Sequence, residues 1–346
     1  MSFKSFDLAH DVGSVVSAMN EVITISSSLF ISGAGDPNVK TYQNIASGTM
    51  TTALGGYWQT VYDSSPTSIQ STALFDITFG FSPVSSALYP AAVVHGGVSC
   101  YQEKAKVYKE MASVLLGDPS AILGPNSDWY ECFFIMIKRG IMKDELKKGV
   151  MSMIFNGSVG ARTGSDTTAA SNYKQTVGGD YAPLSSSSGI VGQVWYNAGV
   201  IVIPALASTM PWLNTIGDTN QWLGAINTAQ FNLYNQITGS TIDSCVTGLR
   251  NHISNIALQN QTNLYSTIYF CRATNTEFNY SSNPTYIDGT QRIRVTSGSN
   301  VLQSRTYITK VGLYDANDNL LAVGSVNKPI TKSPDTESIY RVRLDY

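Results

Sequence analysis

A β-rich α+β fold, with short-strand sheets or sandwich-like domains, two or three helices and a C-terminal antiparallel β-meander, is the class this sequence predicts. Three observations predict it. Short runs of alternating apolar residues recur between glycine-, asparagine- and proline-containing turns. Only a few stretches carry helical periodicity. The last 80 residues hold four or five strand-like runs in close succession. The chain has 346 residues, room for two or three domains. Its segments read as a β-rich region over 1–100, a helix with strand pairs over 101–213, and a helix followed by a β domain over 214–346.

Taken in order, 21–73 reads as short strands and turns, with Val22-Ile23-Thr24-Ile25 and Ser28-Leu29-Phe30-Ile31 as the apolar pieces. Phe75, Ile77 and Phe79 alternate, so 74–80 is expected to be a half-buried strand ended by Gly80. The first helix is expected over 101–116, where Val107, Met111, Val114 and Leu115 face away from Glu103, Lys104, Lys106 and Lys109, and Gly117-Asp118-Pro119 stops it. A second is expected over 218–237, capped by Asp218 or Thr219 and ended by Gly239. A shorter one is expected over 249–258.

Between the helices, Cys132-Phe133-Phe134-Ile135-Met136-Ile137 reads as a buried strand, 141–148 as a charged connector and 150–155 as a return strand. The connector holds Lys143, Asp144, Glu145, Lys147 and Lys148, the densest charge in the chain. Residues 158–188 are glycine, serine and threonine with few core-forming side chains, and are expected to be a long loop that a partner must order. Strands at 194–196 and 200–203 flank Asn197-Ala198-Gly199. In the C-terminal block, strands are expected at 266–273, 293–296, 306–314, 320–326 and 338–345, with 315–319 as a tight turn.

Composition limits function. Charged residues make up 13% of the chain, about half the usual share. Ser and Thr number 72, so the polar surface is built largely from uncharged groups. Lys and Arg, 22 in all, are outnumbered by 24 Asp and Glu, which argues against nucleic-acid binding through a basic field. The most apolar stretch, 198–207, is too short to span a bilayer, so no membrane insertion is expected. The N-terminus lacks a signal-peptide pattern. Four cysteines at 100, 132, 245 and 271 have no metal-binding spacing and read as reduced thiols.

The search for catalytic chemistry gives little. Gly33-Ala34-Gly35 lacks the rest of a dinucleotide fingerprint. Ser99 near His95 lacks the nucleophile elbow, since position 101 is Tyr. Asp315-x-Asn317-x-Asn319 matches the start of a calcium loop, but Leu320 and Val326 stand where Gly and Glu are needed, so a hairpin turn is the better reading. No enzyme, metal or cofactor is expected. Phe278, Tyr280, Pro284 and Tyr286 form an aromatic run that either packs or serves as an interface anchor.

Several segments together resemble a family of tailed-bacteriophage virion proteins. They are Phe3-Lys4-Ser5-Phe6-Asp7, the 74–80 strand, the helix over 104–116 with Met111, and Phe133-Phe134-Ile135 followed by Lys138-Arg139 and Met142-Lys143-Asp144-Glu145-Leu146 with Gly149. Lys148 stands where that pattern has Pro. The C-terminal pieces are the most specific: Tyr269-Phe270-Cys271-Arg272-Ala273, Glu277-Phe278-Asn279-Tyr280-Ser281, Asn283-Pro284-Thr285, Tyr307-Ile308-Thr309-Lys310-Val311-Gly312-Leu313-Tyr314-Asp315, Leu320-Leu321-Ala322-Val323, Lys328-Pro329-Ile330 and Arg341-Val342-Arg343-Leu344-Asp345.

The resemblance implies a non-enzymatic wedge component of a contractile-tail baseplate, assembled in the host cytoplasm and resident in the virion. It would join other baseplate and tail proteins, with a homodimer within the assembly as one arrangement, and help couple receptor engagement to contraction. Its expected contacts are Lys143, Asp144, Glu145, Lys147 and Lys148, together with Phe278, Tyr280, Pro284 and Tyr286. A neck or tail-hub connector, a receptor- or glycan-binding tail protein suggested by the many Tyr and Trp residues, and a tail-associated wall hydrolase are the alternatives.

Overall fold

The computed structural model of the protein describes residues 4–29, 38–42, 57–82, 94–95, 98–157, 160–187, 189–205, 242–292 and 305–346. The helix expected over 218–237 and the strand expected over 293–296 lie outside them. The chain divides into two compact units, a larger one of residues 19–262 and a smaller one formed by 1–18 and 263–346.

The strands in chain order are β1 (Val12–Ser26), β2 (Val39–Tyr42), β3 (Trp58–Tyr62), β4 (Ala73–Phe81), β5 (Val94–His95), β6 (Val98–Ser99), β7 (Glu131–Ile137), β8 (Glu145–Leu146), β9 (Ser152–Gly157), β10 (Gly160–Ser165), β11 (Lys174–Thr176), β12 (Gly179–Ser186), β13 (Gly189–Trp195), β14 (Val200–Pro204), β15 (Ile253–Ala273), β16 (Thr306–Tyr314), β17 (Leu320–Lys332) and β18 (Ser338–Asp345). The described helices are α1 (Cys100–Leu116), α2 (Arg139–Met142) and α3 (Ile242–His252). The fold is α+β and β-rich. β1 and β15, of 15 and 21 residues, far exceed the short strands expected there.

In the larger unit a wide antiparallel sheet runs in the order β15-β9-β10-β12-β13-β14-β7-β4-β3-β2. Its centre obeys the period of two. Cys132 and Phe134 of β7 and Val200 and Val202 of β14 point to one face, where they meet Tyr108, Ala112 and Leu115 of α1. Phe133, Ile135 and Ile137 and Ile201 and Ile203 point to the other, packing in one core with Val246 and Leu249 of α3. Covered on both faces, such strands read as continuous apolar runs. The same holds for β4, expected to be half-buried and ended by Gly80. It is almost wholly buried and continues to Phe81.

Gly80 is instead the point where α1 crosses the sheet. A Cβ there would lie 2.7 Å from the Tyr108 amide nitrogen and 2.9 Å from the Lys104 carbonyl oxygen. The Tyr108 hydroxyl donates to the Trp129 carbonyl at 2.6 Å and accepts from the Leu123 amide at 2.9 Å, so the buried ring also satisfies two loop groups.

Three expectations are corrected by this sheet. Residues 158–188 are not a long loop: most of them form β10, β11 and β12. Small residues are used because neighbours come close. A Cβ on Gly164 would stand 2.5 Å from Val191, and one on Gly178 would stand 2.9 Å from the Leu115 backbone. Tyr181 stacks on Trp195 with centroids 4.9 Å apart, and the Trp195 indole donates to Thr176 at 3.1 Å. The return strand expected over 150–155 is a strand, β9, but does not return to β7, since β9 pairs with β10 and β15 while β7 pairs with β4 and β14. The helix expected over 249–258 begins earlier and ends at His252, where the chain turns directly into β15. In the C-terminal block β16 and β17 pair as a separate hairpin, and β18 pairs with β15 from Ser266↔Asp345 to Ala273↔Ser338.

Asp166 ties the middle together. It is buried, and its carboxylate accepts from the Gly149 amide at 3.0 Å, the Met151 amide at 2.8 Å and the Tyr196 hydroxyl at 2.7 Å. Burial, and then that hydrogen bond to the Asp166 carboxylate, holds the Tyr196 phenol well above its ordinary pKa.

Two variants test these contacts. Gly80→Ala forces α1 off β4 and should lower stability by about 1–3 kcal/mol in urea unfolding; an unchanged midpoint contradicts the close approach. Asp166→Ala leaves three donors unmatched, two of them buried, and should cost about 3 kcal/mol or more.

Candidate interaction surfaces

The connector is stitched on both sides, which accounts for its shape. Asp144 and Lys147 amides donate to the Gln261 and Gln259 carbonyls of β15 at 3.2 and 2.9 Å, and the Leu146 amide donates to the Tyr196 carbonyl at 3.0 Å. Lys143 turns the chain with φ at 64°. Glu145 accepts from Asn197 at 3.1 Å and Gln261 at 2.8 Å. Lys148 pairs with Asp180 at 2.9 Å, and its ammonium lies 4.9 and 5.6 Å from the ring centroids of Tyr173 and Tyr196. Burial alone would raise the Asp180 pKa, but hydrogen bonds from Lys148 and Gln175 outweigh it and hold the carboxyl low.

Thus two of the five expected contact residues, Glu145 and Lys148, are committed inside the larger unit. Lys147 is half-buried, and Lys143 and Asp144 are exposed. Part of the charge density that marked 143–148 in the sequence, Glu145 and Lys148, belongs to an internal polar seam.

The aromatic run belongs to the smaller unit and is held by a device that the sequence does not announce. Lys332 is fully buried, and its ammonium donates to the Asn275 carbonyl at 3.3 Å, the Asn279 side-chain oxygen at 3.0 Å and the Ser333 carbonyl at 2.8 Å. Three neutral acceptors replace the water that burial removes. Thr306 donates to the Phe278 carbonyl at 2.9 Å, Phe278 itself having φ at 55°. Asn283 and Asp288 then fold the following turns onto Thr285 and onto Thr290 and Arg292.

Nearby, Lys4 pairs with Glu277 at 2.8 Å, and Thr274 adds a hydrogen bond to the same carboxylate. Lys4 first, then Thr274, lowers the Glu277 pKa to about 2. Phe278 and Tyr286 are half-buried, while Tyr280 and Pro284 are exposed. Tyr286 meets Tyr307 edge-on at 6.2 Å. The structure therefore brings Phe278, Tyr280, Pro284 and Tyr286 onto one ordered segment, with Tyr307 added to it.

One surface is absent from the sequence reading. At the turn end of the β16–β17 hairpin, Leu320, Leu321 and Val323 are 53%, 68% and 53% exposed. Gly312 opposite leaves room for Tyr314 and Leu320, whose atoms would lie 2.9 and 3.2 Å from a Cβ there. The run Leu320-Leu321-Ala322-Val323 signals a strand in either case. Whether a third strand covers it depends on the path of β18, which pairs with β15 instead.

The turn itself consumes the calcium-like motif. Asp315 accepts from the Asn317 and Asn319 amides at 2.8 and 2.7 Å and from the Asn319 side chain at 2.9 Å. Among the described residues no group of three or more His, Cys, Asp or Glu could hold a metal ion. Among them also, no helix is long and apolar enough to cross a membrane.

Two measurements check the clamps. Lys332→Met leaves Asn275, Asn279 and Ser333 without their donor and should cost about 2–3 kcal/mol, with amide exchange rising first over 275–279. Since Glu277 is depressed, its contribution to stability is whole above the unfolded carboxyl pKa near 4.5 and is lost as pH falls towards about 2. A carboxyl carbon NMR titration should show it ionised after other exposed glutamates have protonated, and Lys4→Ala should return it to the common range.

Compared with known proteins, the chain matches no family model, no curated protein and no solved structure.

Proposed function

We propose that the chain is a structural subunit of a bacteriophage tail baseplate, a wedge component that joins neighbouring virion proteins and helps couple receptor engagement to contraction. The observation that supports an assembled role most directly is the hairpin tip. A two-stranded hairpin is marginal in water by itself. This one presents Leu320, Leu321 and Val323 together near its turn. Such a tip is suited to burial in a permanent interface, where apolar cores dominate.

The assignment to a phage tail rests on the residue resemblance in the C-terminal block and in 133–149. Low charge fits a subunit whose surface is largely covered. Mechanical coupling would work through interfaces that hold one arrangement and re-form in another. The connector is a poorer contact than its charge suggests, because Glu145 and Lys148 are already satisfied within the chain.

A cryo-electron map of the intact particle tests the placement. The chain should fit a symmetric ring at the distal end of a contractile tail, with density against Leu321 and Val323. Density at the head-to-tail junction would replace the wedge by a neck connector. Leu321→Asp with Val323→Asp should leave the chain folded and reduce its incorporation into particles at least about tenfold, the effect of roughly 1.4 kcal/mol or more at the contact. Normal incorporation contradicts the role of the tip.

A further inference from the structure

We propose that the segment over 278–287, with Tyr307 beside it, is a binding surface for an uncharged glycan. The inference goes beyond the assembly role and uses a different part of the smaller unit.

Three observations carry it. First, the order of the segment does not depend on its most exposed ring. Lys332, Thr306 and the Asn283 turn fix its backbone, while Tyr280 is 54% exposed and Tyr307, which the edge-on ring of Tyr286 supports, is 49% exposed. Holding phenol rings on a prearranged backbone removes much of the ordering cost of binding. Second, the ten residues Phe-Asn-Tyr-Ser-Ser-Asn-Pro-Thr-Tyr-Ile over 278–287 contain no charge. The adjoining Glu277 is neutralised by Lys4, and Asp288 is turned onto Thr290 and Arg292. A charged ligand would find no counter-ion in the segment. Third, the chemistry is mixed in the proportion a sugar requires. A pyranose has a C–H face that packs on an aromatic ring and a rim of hydroxyls that pair with amides and hydroxyls, here the side chains of Ser281, Ser282, Asn283 and Thr285.

A protein partner fits this surface less well. Ten residues fall short of the roughly 800 Å² per partner of a standard interface. The exposed aliphatic groups that cluster, Leu320, Leu321 and Val323, lie near the turn of the hairpin, while Ile330 at its other end is 38% exposed. Tyr307 and Tyr314 are seven residues apart along β16, roughly 23 Å at strand rise, so the two surfaces occupy opposite ends of that strand.

The test uses the full chain and three neutral oligosaccharides, chitotriose, maltohexaose and isomaltotriose, in saturation-transfer NMR at millimolar sugar. Transfer to the ring protons of at least one sugar is expected. Tyr280→Ala with Tyr307→Ala should weaken that binding at least about tenfold, whereas Tyr280→Phe with Tyr307→Phe keeps the rings and most of the affinity. Tyr280→Ala alone, at an exposed position, gives the same comparison if the double variant does not fold. Absence of transfer from all three sugars overturns the proposal, whatever peptide or charged polymer the surface binds. Equal transfer in wild type and Tyr280→Ala with Tyr307→Ala overturns it too. Leu321→Asp with Val323→Asp should bind sugar normally, so loss of assembly and loss of sugar binding are separable.

Discussion

A strand buried on both faces can carry almost no charge, and the larger unit is built around such strands. β7 and β14 pair through Met136↔Val200 to Cys132↔Pro204, with α1 against one face and α3 in the core of the other. Charged side chains at those positions would have to be paired or neutralised. Low charge in the composition therefore has a structural cause before any functional one. Two polar groups that do enter are matched: Asp166 by two amides and Tyr196, Tyr108 by Trp129 and Leu123.

Close packing at glycine extends the same constraint outward. Gly80 admits α1, Gly178 admits the backbone at Leu115, and Gly164 admits Val191. A sheet assembled this way has small residues where larger ones are usual. The smaller unit follows another plan. Its strands are largely exposed, and its irregular segment is positioned by hydrogen bonds from Lys332 and Thr306 and by the Lys4–Glu277 pair. One unit thus invests apolar area in its own interior, while the other leaves Leu321, Val323, Tyr280 and Tyr307 available at its surface.

Elements with strong period-two alternation or a contiguous apolar run were legible from sequence: β4, β7, β14, the end of β13, the β16–β17 hairpin and its 315–319 turn. So was α1, with its helical face and its Gly117 stop. Residues 158–188 were not legible, because a strand of Gly, Ser and Thr has the composition of a loop until its neighbours are known. The end of α3 was missed because Leu249, Ile253 and Ile256 satisfy helical spacing although the last two sit in β15. At the candidate surfaces, sequence marked the charge of 143–148 correctly as unusual, but could not show that Lys148 meets Asp180 and two rings. It found Phe278 to Tyr286 by composition. It could not find Lys332, more than 50 residues away, whose burial depends on a fold-level contact.

The central proposal is that the turn end of the β16–β17 hairpin, with Leu320, Leu321 and Val323, is uncovered in the free chain and covered in an assembled particle. Hydrogen–deuterium exchange on both forms tests it directly. In the free chain the amides of 306–332 should exchange much faster than those of β7 and β14, and in the particle they should become protected while β7 and β14 stay as they were. Exchange over 306–332 that is equally fast in both forms, or already slow in the free chain, would contradict the account.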